Sequence, residues 1–179
     1  MKGKIIYVGF LSLIFLFVIT SCGSTVSVTN DFDKSIDFKK YKTFSFYHLK
    51  TTGEISKLNA DRVVNAIILE MKGKGYVEDK NNPDLLINAV TVLQEKEATT
   101  VSSTNYYGYG YGYPVGNSVD VNTYNYKDGT IMVDILDAKT EKLIWEGTGT
   151  SEITSKVQEP ERAIGYAISK ILASYPATK

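Results

Sequence analysis

The feature that most narrows the fold lies in the second half of the chain, where three strand-like runs follow one another across short turns. Val119–Tyr126 alternates, and Thr130–Leu136 and Lys142–Thr150 read as the two strands that follow it. Such alternation sends successive side chains to opposite faces of a sheet. Lys127-Asp128-Gly129 separates the first pair, and Asp-Gly favours a hairpin turn because both positions tolerate positive φ. Asp137-Ala138-Lys139-Thr140-Glu141 separates the second pair. Connections this short exclude crossovers, so the pattern predicts an antiparallel meander.

The rest of the chain supplies further strands and two helices. Val26–Thr29 and Tyr41–Tyr47 read as strands, Tyr76-Val77 as a short edge segment, and Leu85–Gln94 as the longest strand. Leu85-Leu86-Ile87 is apolar without alternation, which predicts a central strand covered on both faces. Ser56–Met71 carries Leu58, Val64, Ile67, Ile68 and Met71 at helical spacing, and Gly73 and Gly75 end it. Pro160 opens the last helix, whose stripe is Ala163, Ile164, Ala167, Ile168, Ile171 and Leu172, and Pro176 stops it. The expected class is α+β: a mostly antiparallel sheet of about six strands with two helices packed on one face.

The amino terminus speaks of location. Lys2 and Lys4 precede an apolar run from Ile5 to Ile19, and Ile19-Thr20-Ser21-Cys22 closes it with small residues before the only cysteine. A cationic start, an apolar core and a small-residue exit mark a secretory signal. The run is short of the roughly 20 residues that span a bilayer. With a cysteine at the exit, the segment resembles a bacterial lipobox, in which cleavage precedes Cys22 and palmitate-type chains are attached to it. Several acyl chains anchor firmly where one alone holds marginally. The expected division is therefore residues 1–21 as signal peptide, 22–25 as lipidated cysteine and short tether, and 26–179 as a single domain. Gly23 after Cys22 is no aspartate retention signal, and no charged run follows it. The expected address is the periplasmic face of the outer membrane.

Composition excludes several functions. Once Lys2 and Lys4 leave with the signal, 18 basic side chains face 20 acidic ones, with no Lys/Arg cluster to grip nucleic acid. His48 is the only histidine, and Cys22 is taken by the lipid, so neither a catalytic triad nor a transition-metal set is expected. No cofactor-binding glycine motif is present, because Gly108, Gly110 and Gly112 alternate with tyrosines. Asp31, Asp33 and Asp37 imitate a calcium loop loosely, and the ordinary role of such residues is to accept turn N–H groups. Asp134 and Glu146 are the one acidic pair that adjacent strands could bring together, as a weak hydrolase would need. Their relative facing depends on the register: a one-residue slip separates or unites them. Trp145 is expected to anchor the core beneath a helix.

The compositional oddity is tyrosine. Tyr106, Tyr107, Tyr109, Tyr111 and Tyr113 interleave with glycine in a segment expected to form a loop over 102–117. Flat amphipathic rings on an adaptable backbone suit contact with a protein partner or a glycan.

Three pieces taken in order resemble a known family. They are Asp31-Phe32-Asp33 with Asp37-Phe38-x-x-Tyr41-Lys42-Thr43-Phe44, then Asn82-Pro83-Asp84-Leu85-Leu86-Ile87, then Gly129 through Gly147 including Asp134, Asp137-Ala138-Lys139-Thr140 and Trp145. Behind a lipobox, and ending in Tyr175-Pro176, this order resembles the bacterial putative lipoproteins of domain of unknown function 4136. The resemblance implies an α+β envelope domain and carries no activity with it. The expectation is a non-catalytic structural or partner-docking lipoprotein that contacts the membrane through its anchor and an envelope protein or glycan partner. A carbohydrate- or peptide-binding module using the tyrosines is the alternative of a different class.

Overall fold

The computed structural model describes residues 25–52, 55–107, 114–153, 157 and 159–178. The elements run β1 (Ser27–Phe32), a 3-10 turn (Phe38–Lys40), β2 (Thr43–Thr52), α1 (Lys57–Gly73) and β3 (Val77–Glu78). There follow β4 (Leu85–Tyr107), β5 (Pro114–Asp137), β6 (Leu143–Ile153), α2 (Pro160–Ile171) and a 3-10 turn (Leu172–Ser174). Six strands form one sheet in the order β1-β6-β5-β4-β2-β3. Pairing is antiparallel from β1 through β6 and β5 to β4, then parallel from β4 to β2 and β3. The α+β class, with a mostly antiparallel sheet and both helices against it, is the one the sequence led us to expect.

The helices begin and end where their caps dictate. The Ser56 hydroxyl accepts from the Asn59 amide at 3.3 Å and opens α1. Gly75 takes φ 93°, the left-handed conformation that turns the chain into β3. The face α1 buries is Val63, Ala66, Ile67 and Met71, while Leu58 is exposed. The buried stripe is thus rotated from the expected Leu58/Val64 line, because i, i+3, i+4, i+8 from Val63 follows one helical face more closely. In α2, Pro160 occupies the first turn and Ile168 and Ile171 point into the core.

Two glycines let α2 lie close to β6. A Cβ at Gly147 would overlap the Trp145 ring, and one at Gly149 would press on Ile171 at 2.7 Å. Trp145 is buried as expected, and Tyr175 meets its ring edge-on at 5.3 Å. Phe38 and Tyr76 also pack on Tyr175, each at 5.7 Å, so the carboxyl-terminal aromatic closes one end of the core. Beyond it, the Thr178 amide donates to the Lys74 carbonyl and the Tyr76 hydroxyl to the Pro176 carbonyl.

The meander differs from expectation at its first turn. Asp128-Gly129 makes no hairpin, and Gly129 pairs with Leu93 on one side and Ser151 on the other. With ladders available on both edges, extended backbone gains more hydrogen bonds than a turn would. The glycine makes room instead, since a Cβ there would meet Ile153 at 2.8 Å. The two strands expected on either side of it are one, β5, and it pairs with β4 along its length, from Leu85↔Asp137 to Tyr107↔Pro114. Strand backbone therefore occupies much of the loop expected over 102–117, and residues 108–113 of it lie outside the described residues. The second turn, Asp137–Glu141, stands as expected, with Glu141 at φ 55°.

Cover on both faces of β4 is also corrected. Leu85, Ile87, Ala89 and Thr91 are buried beneath the helices, whereas Leu86, Asn88, Val90 and Val92 face the opposite side half-buried. Both helices lie on one face, so the apolar start of β4 reflects its central position between β5 and β2.

Candidate functional site

The residues on which the resemblance was drawn are held by reciprocal hydrogen bonds that assemble the sheet. The Asp84 carboxylate accepts the Lys42 and Thr43 amides at 2.8 and 3.1 Å, and the Asp84 amide donates back to the Thr43 hydroxyl. Burial alone would raise the Asp84 pKa, but these amides outweigh it and hold it below the usual carboxylate range. Asp137 accepts from the Tyr41 hydroxyl at 2.7 Å and from the Lys139 and Thr140 amides at 2.9 and 3.0 Å. The Tyr41 hydroxyl first, and then the turn amides, bring Asp137 down to about 2 against the effect of burial. Burial, reinforced by that carboxylate, pushes the Tyr41 hydroxyl up. Asp33 accepts from Ser35 and pairs with Lys142, Asp37 accepts the Lys39 amide, and Asp31 accepts the Phe32 amide. These aspartates serve turns and strand junctions, as Asp side chains ordinarily do.

The acidic pair does come together. A bulge between Ile135 and Leu136 sets the register so that Asp134 lies directly opposite Glu146. Asp31 is opposite Glu146 on the other side, Asn88 opposite Asp134, and His48 opposite Asn88. Asp31, Glu146, Asp134 and Asn88 thus occupy one row across the face away from the helices. Asn88 donates to Asp134 at 3.2 Å. Glu146 and Asp31 are exposed and Asp134 is half-buried, so the row lies on an open sheet surface without walls to hold a substrate. Among the described residues, no three His, Cys, Asp or Glu side chains are grouped to hold a metal. A shallow cleft of about 470 Å³ lies away from this row, lined by Arg62, Glu159, Pro160, Glu161 and Arg162.

The other candidate region is the outer half of β4 and β5. Beyond Thr52↔Val92, β2 no longer accompanies β4, and β6 joins β5 only from Lys127 onward. From there the two strands continue as a ribbon to Tyr107 and Pro114, about 45 Å at 3.3 Å per residue. Cross-strand pairs hold it: Lys127 meets Glu95 at 2.8 Å, Lys96 meets Asp128, and the Thr99 and Thr123 hydroxyls lie 3.4 Å apart. Val101 is opposite Val121, and they and Val119 are 63, 59 and 61% exposed. On the other face the Tyr124 and Tyr126 rings lie 6.1 Å apart.

Of the tyrosines singled out from sequence, Tyr106 and Tyr107 have their backbone in β4, while Tyr109, Tyr111 and Tyr113 lie outside the described residues, as does Cys22. The valines of the ribbon escaped sequence reasoning. Their signal was present in the alternation of Val119-Asp120-Val121, but alternation does not say whether a helix covers the apolar face.

Comparison with known proteins bears on the fold. The sequence matches "Domain of unknown function (DUF4136)" over residues 28–177. A DUF4136 family protein from Bacteroides thetaiotaomicron superposes with a TM-score of 0.52 at 14% identity, covering 88% of this chain and 100% of that one. A PelC dodecamer from Paraburkholderia phytofirmans gives a TM-score of 0.54 at 11% identity, covering 87% of this chain and 100% of that one. A PDZ domain protein from Parabacteroides distasonis gives 0.56 at 18% identity, covering 94% of this chain but 40% of that one. No curated protein matches. At these identities the likeness concerns the fold.

Proposed function

From the premise that this chain belongs to the DUF4136 family, we propose that it is a lipid-anchored envelope protein acting as a non-catalytic docking module. The observation that carries the reading is the ribbon: two strands that leave the body, keep their ladder, and expose Val101, Val119, Val121 and Tyr124. Contiguous exposed apolar surface is where soluble domains meet partners. The lipobox-like segment ending at Cys22 supports attachment to the periplasmic face of the outer membrane. Assembly is also a use to which the fold is put elsewhere, since the PelC structures are described as dodecamers.

A crosslinking pulldown from native envelopes tests it, comparing the intact chain with one lacking Tyr106 to Pro114. One stoichiometric protein partner, lost on deletion, is the expected result. Equal recovery of that partner with the shortened chain would place docking elsewhere. For the anchor, Cys22→Ala is expected to move the chain from the membrane to the soluble fraction.

A second reading, a carbohydrate- or peptide-binding module, draws on the paired Tyr124 and Tyr126 rings on the outer ribbon face. Titration with envelope glycans against Tyr124→Ala/Tyr126→Ala separates it from protein docking. The paired carboxylates support a hydrolase poorly, because Asp134 and Glu146 lie on a flat open surface.

A further inference from the structure

Past Val92 on β4 and ahead of Lys127 on β5, each strand keeps one hydrogen-bonding edge that no other strand among the described residues pairs. Such edges are templates for another strand, and proteins ordinarily block them with lysine, proline, bulges or charge. Blocking here stops early. Glu95, Lys96, Glu97, Lys127 and Asp128 gather at the body end of the ribbon. Farther out, between Ala98 and Tyr107 and between Pro114 and Tyr126, Asp120 is the only charged residue. Pro114 and the bulge at Tyr106/Tyr107 fall at the far end, leaving a long regular edge between them and the charges.

We infer that this distal ribbon pairs edge to edge with the distal ribbon of a second copy of the chain. The inference rests on the docking role proposed above and names its partner. Charge selects the occupant. A basic or acidic partner would find a single carboxylate to recognise, whereas an identical ribbon brings the same uncharged Thr, Ser and Asn positions and the same valine stripe. Pairing through the β4 edges brings Val101 beside its equivalent, and pairing through the β5 edges brings Val119 and Val121 beside theirs, so either contact shields part of an apolar stripe that is otherwise exposed. Because β4 and β5 each have a free edge, one ribbon accepts a neighbour on either side. Like edges pairing gives a twofold dimer, and unlike edges pairing repeats head to tail from copy to copy.

The test is photo-crosslinking of the full, lipid-anchored chain in envelopes, with benzoylphenylalanine in place of Thr100, an exposed position on the distal ribbon. The expected adduct has twice the mass of the chain and contains this sequence alone, and it falls about tenfold in Val101→Lys/Val121→Lys, whose added charges block the edge. Both valines are exposed, so that double variant is expected to melt with the parent. An adduct with a different protein overturns self-pairing while leaving the docking role. Absence of any adduct overturns both. An undiminished homodimer adduct in a double variant that melts normally overturns the valine stripe as the contact.

Discussion

The inner and outer halves of β4 and β5 are one antiparallel ladder with two different fates. In the inner half, Ile87, Ala89 and Thr91 face Ile135, Val133 and Ile131 across the strands, beneath the helices, and are buried. In the outer half, Val101, Val121 and Val119 occupy positions of the same parity and stand exposed, with no helix among the described residues above them. The backbone is alike in both, so extended structure alone does not make a core. What differs is cover, supplied by α1, α2 and the aromatic end formed by Trp145 and Tyr175. The inner half should therefore answer to packing, and the outer half to partners.

The largest expected effect is in the body. Trp145→Ala removes the ring on which Tyr175 and Gly147 rest and is expected to destabilise by about 3–5 kcal/mol, measured by denaturant unfolding. Gly147→Ala forces a methyl into the space of that ring and should cost about 1–3 kcal/mol by the same measurement. A matching cost at Gly129 would be smaller, since the flexible end of Ile153 can yield there.

Asp137→Asn tests the polar junction instead of the packing. Losing a charged acceptor for Tyr41 and two turn amides should cost about 1.5–2 kcal/mol at neutral pH. The pH dependence has a defined sign. Asp137 sits at about 2 when folded, below its ordinary 3.8, so its contribution is complete above pH 4 and declines as pH falls toward 2. Wild type should lose stability across that window, and Asp137→Asn should lose less. Equal losses in both chains would assign acid sensitivity to other carboxylates.

The smallest expected effect lies in the ribbon. Val101→Thr and Val121→Thr should each change the melting of the isolated chain by no more than about 0.5 kcal/mol in stability, as exposed positions do. A large loss at either would mean that the ribbon is packed against the body, and the contrast between halves would disappear.

Local signals read well from the sequence. The first helix begins at Ser56, Pro160 opens α2, Tyr76-Val77 leads into the edge strand, and Trp145 anchors the core. Each of these depends on chemistry within a few residues or on one large side chain. Asp128-Gly129 misled because its hairpin preference is local, whereas the ladders on both sides of Gly129 come from distant segments. The same holds for the candidate pair Asp134 and Glu146: only the bulge after Ile135 decides that they share a face. The ribbon was half legible, for the alternation of Val119 to Tyr126 was plain but its pairing with Ala98 to Val101 and Ser103 was not.

The account's central claim is that the outer half of the β4–β5 ladder is covered by a partner, and that the partner is another copy. The most direct measurement is the protein mass of the full, lipid-anchored chain in mild detergent by light scattering, taken for the parent and for Val101→Lys/Val121→Lys. The account predicts a multiple of the chain mass for the parent and a single copy for the variant, with melting unchanged. A single copy in both would contradict it.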